Sequence, residues 1–337
     1  MNTPISVIIP THNRAHLLPR AIKSVLGQLQ EADEILVIDD GSTDDTAAVI
    51  NRFHHVRYLK KARGGAGSAR NLGIAESRNP LVAFLDSDDE WLPGKLALQR
   101  QLMDAMPGVS YCFSDFRAVK STGKIYPRHL RQWHRDPRPW DEILGPGEQY
   151  SSIAPLPDEM PDFRIHRGNL YAQLMERPYI PTFTLIYRKD TGDPAPLFAC
   201  DLPIFEDWEF FGLLASGRTG AYLDCETAIQ HGHDGFRLTQ AHPIIQIESR
   251  QKIINRLWGT DENFLRVHAA RYEKLTGNLE SMRRFYTAKE LLRTGQMREA
   301  RAAFRAIGSY PAAYRLLLMT PGFVIRAADR VRRPFAT

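Results

Sequence analysis

Two groups of carboxylates in this chain have the residue types and spacing for chemistry. Residues 81–93 (LVAFLDSDDEWLP) run from five apolar side chains straight into Asp86, Ser87, Asp88 and Asp89. Acids crowded at the end of a buried segment repel one another unless a cation or hydrogen-bond donors offset them. Hard oxygen ligands suit Mg²⁺ or Mn²⁺, which complete their shells with water and substrate phosphates. The same acids also fit a solvated turn capping the helix that opens at Pro93. The second group, Glu206, Asp207 and Glu209, stands in FEDWEFFGLLASG (205–217), where acids in a first helical turn are also favoured by the helix dipole. Between the two groups in kind is the basic loop KKARGGAGSARNLGIA (60–75). Its Gly64, Gly65 and Gly67, leading into a helix, make it a candidate phosphate cradle, although it matches neither the P-loop nor GxGxxG. His231 and His233, beside glycines, are candidate metal ligands that taken singly read as surface histidines.

The elements that must position these residues follow from periodicity. Residues 5–10 (ISVIIP), 34–38, 56–59 and 81–86 read as short buried strands, alternating with helices at 15–28, 44–52 and 67–75. Ser42 or Thr43 would cap the second helix, with Asp44 and Asp45 beside its N-terminus. Several strands end in polar clusters. Together these features predict an α/β fold: an open, mostly parallel sheet flanked by helices, with its ligand at the carboxyl ends of the strands. A helix is expected at 94–106, and strands at 109–118, 182–188 and 221–229. Residues 120–178 have little periodicity and many Pro, Arg, His and Trp, and read as an irregular acceptor-side insertion. From 243 the chain is helical. Residues 278–307 form two amphipathic stretches around Thr294-Gly295-Gln296, a single hairpin of tetratricopeptide type. The expected division is thus 1–240, with the insertion at 120–180, and a helical region at 241–337.

At 337 residues, with 43% hydrophobic and 25% charged, the chain is ordinary for a globular protein. Cys112, Cys200 and Cys225 have no metal spacing and suit a reduced compartment. No stretch approaches a membrane span, and residues 1–4 lead directly into a strand, so a cytoplasmic location is expected. The basic, apolar end (323–335) is a candidate for peripheral contact with a membrane. The acidic strand ends oppose nucleic-acid binding.

With these residues in view, the chain resembles the nucleotide-sugar-dependent glycosyltransferases of family 2, with the A-type glycosyltransferase (GT-A) fold. The matching pieces are SVIIPTHNR, VIDDGSTDDT, GGAGSARNLGI and FLDSDDEWLPGKL, then FEDWEF and QHGHDGFRLT. The resemblance covers 5–239 and is strongest over 5–98. It implies an inverting transfer from a nucleotide diphosphate donor, a UDP-sugar, to a glycan or lipid-linked acceptor. It further implies that Thr11 lies in the loop contacting the nucleotide, that Asp40 meets the uracil, Arg70 the base or diphosphate, and Asp86 the ribose. Pro10, Asn13, Arg14, Gly67 and Ser87 complete the donor set. Asp88 would bind Mn²⁺ or Mg²⁺, with His233 as a further ligand and His231 as the runner-up. Asp207 would be the general base and Glu206 its neighbour. The family's processive Gln/Arg signature is missing, so a single sugar addition is expected. Rival readings are a non-catalytic nucleotide-sugar-binding scaffold and, lower, a sugar-phosphate nucleotidyltransferase.

Overall fold

The computed structural model describes residues 2–157, 160–189, 196–232, 241–307 and 314. His233 and the C-terminal segment 323–335 lie outside them. The chain divides into two compact units, Met1–Phe236 and Arg237–Thr337.

Four parallel strands begin the first unit: β1 (Ile5–Thr11), β2 (Glu34–Asp39), β3 (Val56–Lys60) and β4 (Leu81–Phe84). Their spatial order is β3-β2-β1-β4. Val7, Ile8, Ile9, Ile35 to Ile38 and Leu81 to Leu85 are completely buried, so both faces of β1, β2 and β4 are covered and these three strands read as unbroken apolar runs. The helices between them are α1 (Leu18–Leu26), α2 (Thr46–Ile50) and α3 (Ala66–Glu76). Helix α3 lies against β1 through Gly73, where a Cβ would come within 2.4 Å of Ile8 Cγ2. Only glycine allows that approach.

Two local expectations change. The expected first helix starts three residues late, because Leu17 and Leu18 N–H donate to Arg14 O and close a turn first. The first N–H donor of α2, that of Thr46, is met by Asp44 rather than Ser42 or Thr43. Asp44 Oδ1 accepts from Thr46 N at 3.1 Å, while Ser42 Oγ is taken by Asn13 N at 2.9 Å.

Beyond β4 the sheet becomes mixed. Strands β5 (Glu90–Trp91), β6 (Val109–Val119), β7 (Ile125–Tyr126), β8 (Gly147–Gln149), β9 (Arg164–Gly168), β10 (Ile186–Arg188) and β11 (Thr219–His231) follow. The order continues β4-β10-β6-β11-β9-β8, and of these pairings only β6–β11 is parallel. Helix α4 (Lys95–Ala105) precedes β6.

Residues 120–178 are not irregular throughout. They hold β7, β8 and β9 and three short helices, α5 (Leu130–His134), α6 (Trp140–Ile143) and α7 (Tyr171–Leu174). Each element is two to five residues long, too short for a period to accumulate. Strands β8 and β9 extend the main sheet through β11. The expected strand 182–188 is a 3₁₀ turn at Thr182–Thr184 followed by β10. Helix α8 (Glu206–Ala215) carries the second acidic group.

The second unit holds α9 (Pro243–Leu257), α10 (Glu262–Arg293) and α11 (Met297–Ile307). Asp261 caps α10 by accepting from Phe264 N at 2.9 Å. The break after Arg293 uses Gly295 at φ +80°, a conformation that favours glycine. Ala288, Leu292, Ala300 and Phe304 form the buried centre of the resulting hairpin. Among the described residues no helix is long and apolar enough to cross a membrane.

Candidate active site

The carboxyl ends of β1, β2 and β4 are neighbours, because Thr11 pairs with Asp39 and Leu85 N–H donates to Ile8 O. Adjacent strands of one parallel sheet therefore bring Pro10 to Arg14, Asp39 and Asp40, and Asp86 to Asp89 to one edge.

Asp39 and Asp40 are both buried, yet they do different things. Asp39 accepts from Tyr58 Oη at 2.6 Å and Ser42 N at 2.7 Å, which shapes the turn behind the site. Asp40 accepts from Lys61 Nζ (2.8 Å), Gly64 N (2.8 Å) and Gly65 N (2.7 Å). Burial alone would raise its pKa, but the Lys61 ammonium and the two amides outweigh it and hold the carboxyl below its usual range. The glycine-loop amides expected to cradle a phosphate are thus directed at Asp40 itself. Asn13 adopts φ +52° and ties the β1 turn to the β2 turn, its Oδ1 accepting from Thr43 N at 2.8 Å. Asparagine tolerates this left-handed conformation better than most residues.

The acids after β4 each have their own partner. Asp88 pairs with Arg14, and its carbonyl accepts from Arg20 Nη2 at 2.6 Å. Asp86 accepts from Arg70 Nη2 at 2.7 Å. Buried Asp89 accepts from His231 N at 3.0 Å, and His231 Nε2 lies 2.8 Å from Glu90. Ser87 is buried between them. Cations and amides thus provide the compensation that crowded carboxylates require.

Arg70 joins the two acidic groups. Its other nitrogen, Nη1, donates to Glu206 Oε1 at 3.0 Å, and its guanidinium lies 5.2 Å from the centre of the Phe198 ring. Phe198 stacks on Phe210 of α8 at 4.1 Å. The N-terminus of α3 comes close to this segment at Gly67, where a Cβ would sit 3.1 Å from Glu206 Cγ. Arg70 itself is only 6% exposed. Burial opposes its charge, while Asp86, Glu206 and Asp207 outweigh burial and hold the guanidinium charged.

Asp207 is in the opposite situation. Burial and the adjacent Glu206 push its carboxyl up to about 6, with Asp86 adding to the rise and Arg70 and Thr182 opposing it. Thr182 Oγ1 donates to Asp207 Oδ2 at 3.2 Å. Phe205, just before the helix, has φ +66°, a strained conformation for a bulky residue that sets the entry of α8.

Two buried polar atoms at this edge, Thr11 Oγ1 and Arg70 Nε, have no hydrogen-bond partner among the described residues. Such atoms are costly to bury and are expected to meet a ligand or water. The donor chemistry of the edge also fits a divalent cation. Asp88 is a hard oxygen ligand, and Mg²⁺ commonly takes only one or two carboxylates beside substrate phosphates. No ready-made group of three or more metal-ligating side chains stands among the described residues.

The glycosyl transferase family 2 model matches residues 6–167. Over that stretch, just under half of its length, the chain is similar to glycosyl transferase family 2. All the donor-side residues above fall within the family 2 stretch, while Glu206 and Asp207 follow it. An uncharacterized glycosyltransferase of Rickettsia conorii is 44% identical over 126 residues, 36% of this chain and 21% of that protein. The UDP-Glc:alpha-D-GlcNAc-diphosphoundecaprenol beta-1,3-glucosyltransferase WfgD of Escherichia coli is 33% identical over 125 residues, 36% of this chain and 49% of WfgD. The chain therefore spans half or less of these relatives. Among solved structures, S. aureus TarS 1–349 in complex with UDP-GlcNAc superposes with a TM-score of 0.57 at 18% identity, over 82% of this chain and 71% of TarS 1–349. That likeness establishes the fold, the expected GT-A arrangement.

Several residues at the site had no motif to announce them. Arg20 is an ordinary surface-type residue in sequence, and Lys61, though it belongs to the basic loop at 60–75, carries no sign there that it pairs with Asp40. Thr182 and Phe198 lie outside every matched motif. The positive φ of Phe205 leaves no trace in composition.

Proposed function

We propose that this chain is a metal-dependent inverting glycosyltransferase. It moves one sugar from a nucleotide diphosphate donor, a UDP-sugar, to a hydroxyl of a glycan or lipid-linked acceptor in polysaccharide or glycoconjugate synthesis. The reading rests above all on Arg70, which joins the donor-side acid Asp86 to the acid pair Glu206–Asp207. The uridine diphosphate linkage in the names of WfgD and the TarS complex supports the choice of donor.

The residues divide the work. Asp40, held ionised, would accept from the base; Thr11 Oγ1 and Arg70 Nε would find their partners on the nucleotide. Asp88, after exchanging Arg14 for it, would hold Mn²⁺ or Mg²⁺, with His233 as the further ligand. When bound, the cation would stabilise negative charge on the leaving diphosphate. Asp207, raised by burial and by Glu206 above an ordinary carboxylate, is the more basic for it and suited to remove the acceptor hydroxyl proton. The new glycosidic bond forms as the bond to the diphosphate oxygen breaks on the opposite face, so the anomeric carbon inverts and no covalent enzyme intermediate is required.

The test is thermal unfolding of the full chain with UDP, GDP or dTDP, with and without Mn²⁺. UDP with Mn²⁺ should stabilise the chain by about 2.7 kcal/mol at a hundredfold excess over Kd. Asp207→Asn should keep that stabilisation and lose roughly 10²- to 10⁴-fold in UDP release from the donor. Stabilisation by GDP or dTDP instead would move the donor class. No response to any nucleotide would overturn the reading.

A further inference from the structure

The base Asp207 is reached from an element that carries no family motif. The 3₁₀ turn Thr182–Thr184 is almost completely buried, with Thr182 only 4% exposed. Its side chains meet the acid pair through the hydrogen bond from Thr182 Oγ1 to Asp207 Oδ2. A carboxylate on the first turn of a helix can rotate about its own side-chain bonds, so a fixed external donor decides which way it points.

The turn is itself held from behind. Trp91 Nε1 donates to Phe183 O at 2.7 Å. Gln99 Nε2 donates to Thr184 O at 2.9 Å, and Lys95 Nζ lies 3.4 Å from the same oxygen. Thr184 Oγ1 closes the turn by donating to Pro181 O at 3.0 Å. Trp91, Lys95 and Gln99 are all buried and all follow Asp88 within eleven residues. Lys95 is bonded to Gln99, and its ammonium stands 4.3 Å from the centre of the Trp91 ring. Burying a lysine and a glutamine is costly unless their groups are used, and here both are directed at the Thr184 carbonyl, next to the Phe183 carbonyl that Trp91 holds.

We propose that Thr182 is the positioning residue for the catalytic carboxylate, aiming Asp207 from a turn that Trp91, Lys95 and Gln99 clamp to the segment following Asp88. This rests on the reading of Asp207 as the base. The clamp gives the acidic donor motif and the base a common rigid support. The charged groups facing Asp207 are Arg70 from α3, Asp86 after β4 and Glu206 on its own helix, and Thr182 is the neutral donor among them.

The experiment compares the full chain with Thr182→Val, Thr182→Ser and Asp207→Asn. Two quantities are followed: the ¹³C carboxyl titration of Asp207, assigned by its loss in Asp207→Asn, and UDP release from UDP-glucose and UDP-GlcNAc with Mn²⁺ against pH. Thr182→Val removes the hydroxyl at nearly constant shape. It should move the Asp207 titration and the acidic limb of kcat to higher pH, and lower kcat by about 10- to 100-fold with KM unchanged. Thr182→Ser should restore all three. A folded Thr182→Val with wild-type titration, or with a shifted titration but wild-type kcat, overturns the inference. Asp207→Asn releasing UDP as fast as wild type, or no UDP release from wild type, overturns the reading on which the inference rests.

Discussion

The donor side and the insertion at 120–178 belong to the same unit but are held together differently. On the donor side, charges lie inside and are matched by charges and amides: Asp40 by Lys61 and the glycine loop, Asp86 and Glu206 by Arg70. In the insertion, rings carry the packing. Trp140 stacks on Tyr222 at 3.9 Å and also meets Phe113, His134 and Tyr179 edge-on. Its one deeply buried acid among the described residues, Asp136, is satisfied by Arg138 and Tyr179, while pairs such as Arg167 with Glu148 lie near the surface. The donor side invests in prearranged electrostatics, as a site for an anionic ligand must. The insertion invests in shape.

That contrast predicts a graded series of effects. The largest should come from Arg70→Ala. It strands two acids around Asp207 and should destabilise the unit by about 3 kcal/mol in denaturant unfolding, the low end for a broken buried pair because Asp86 is 28% exposed. The Asp207 titration should also rise, since Arg70 opposes that rise.

Tyr179→Phe should have the middle effect. The Arg138 hydrogen bond, reinforced by the Tyr179 hydroxyl, holds Asp136 well below the usual carboxylate range. A depressed carboxyl contributes stability above its unfolded pKa, about 3.9, and loses it as pH falls through the folded value. The variant should therefore cost about 1–2 kcal/mol at pH 7, a cost that shrinks as the pH is taken below about 4. A cost that stays constant down to low pH would show that packing, not the ionised acid, is what Tyr179 supports.

Arg167→Ala should have the smallest effect, no more than about 0.5 kcal/mol and vanishing in high salt. A larger loss would mean that the insertion relies on its surface charges after all, and would blur the comparison.

Legibility follows the same division. Strands β1, β2 and β4 are buried on both faces, so their apolar runs stand out, and the polar groups that end them mark the ligand edge. Thr11, Asp40 and Asp86 follow those runs in sequence, and it is the resemblance to the family that groups them with Arg70, which stands on α3. The insertion was not, since β7, β8 and β9 are two, three and five residues long and borrow their stability from β6 and β11. The turn at 182–184 failed for a related reason. Its β-branched and aromatic residues favour a strand locally, but buried donors from Trp91 and Gln99 claim the carbonyls a neighbouring strand would use.

By itself the chain determined the parallel donor half, the family motifs at the strand ends and the helical hairpin near the C-terminus. These depend on periodicity and on residues close in sequence, which local physics reads directly. Only the tertiary structure decided that the glycine-loop amides bind Asp40, that Arg70 links acids 120 residues apart, and that Thr182 meets Asp207. Those choices are made by sheet order and burial, which bring together groups that no spacing along the chain relates.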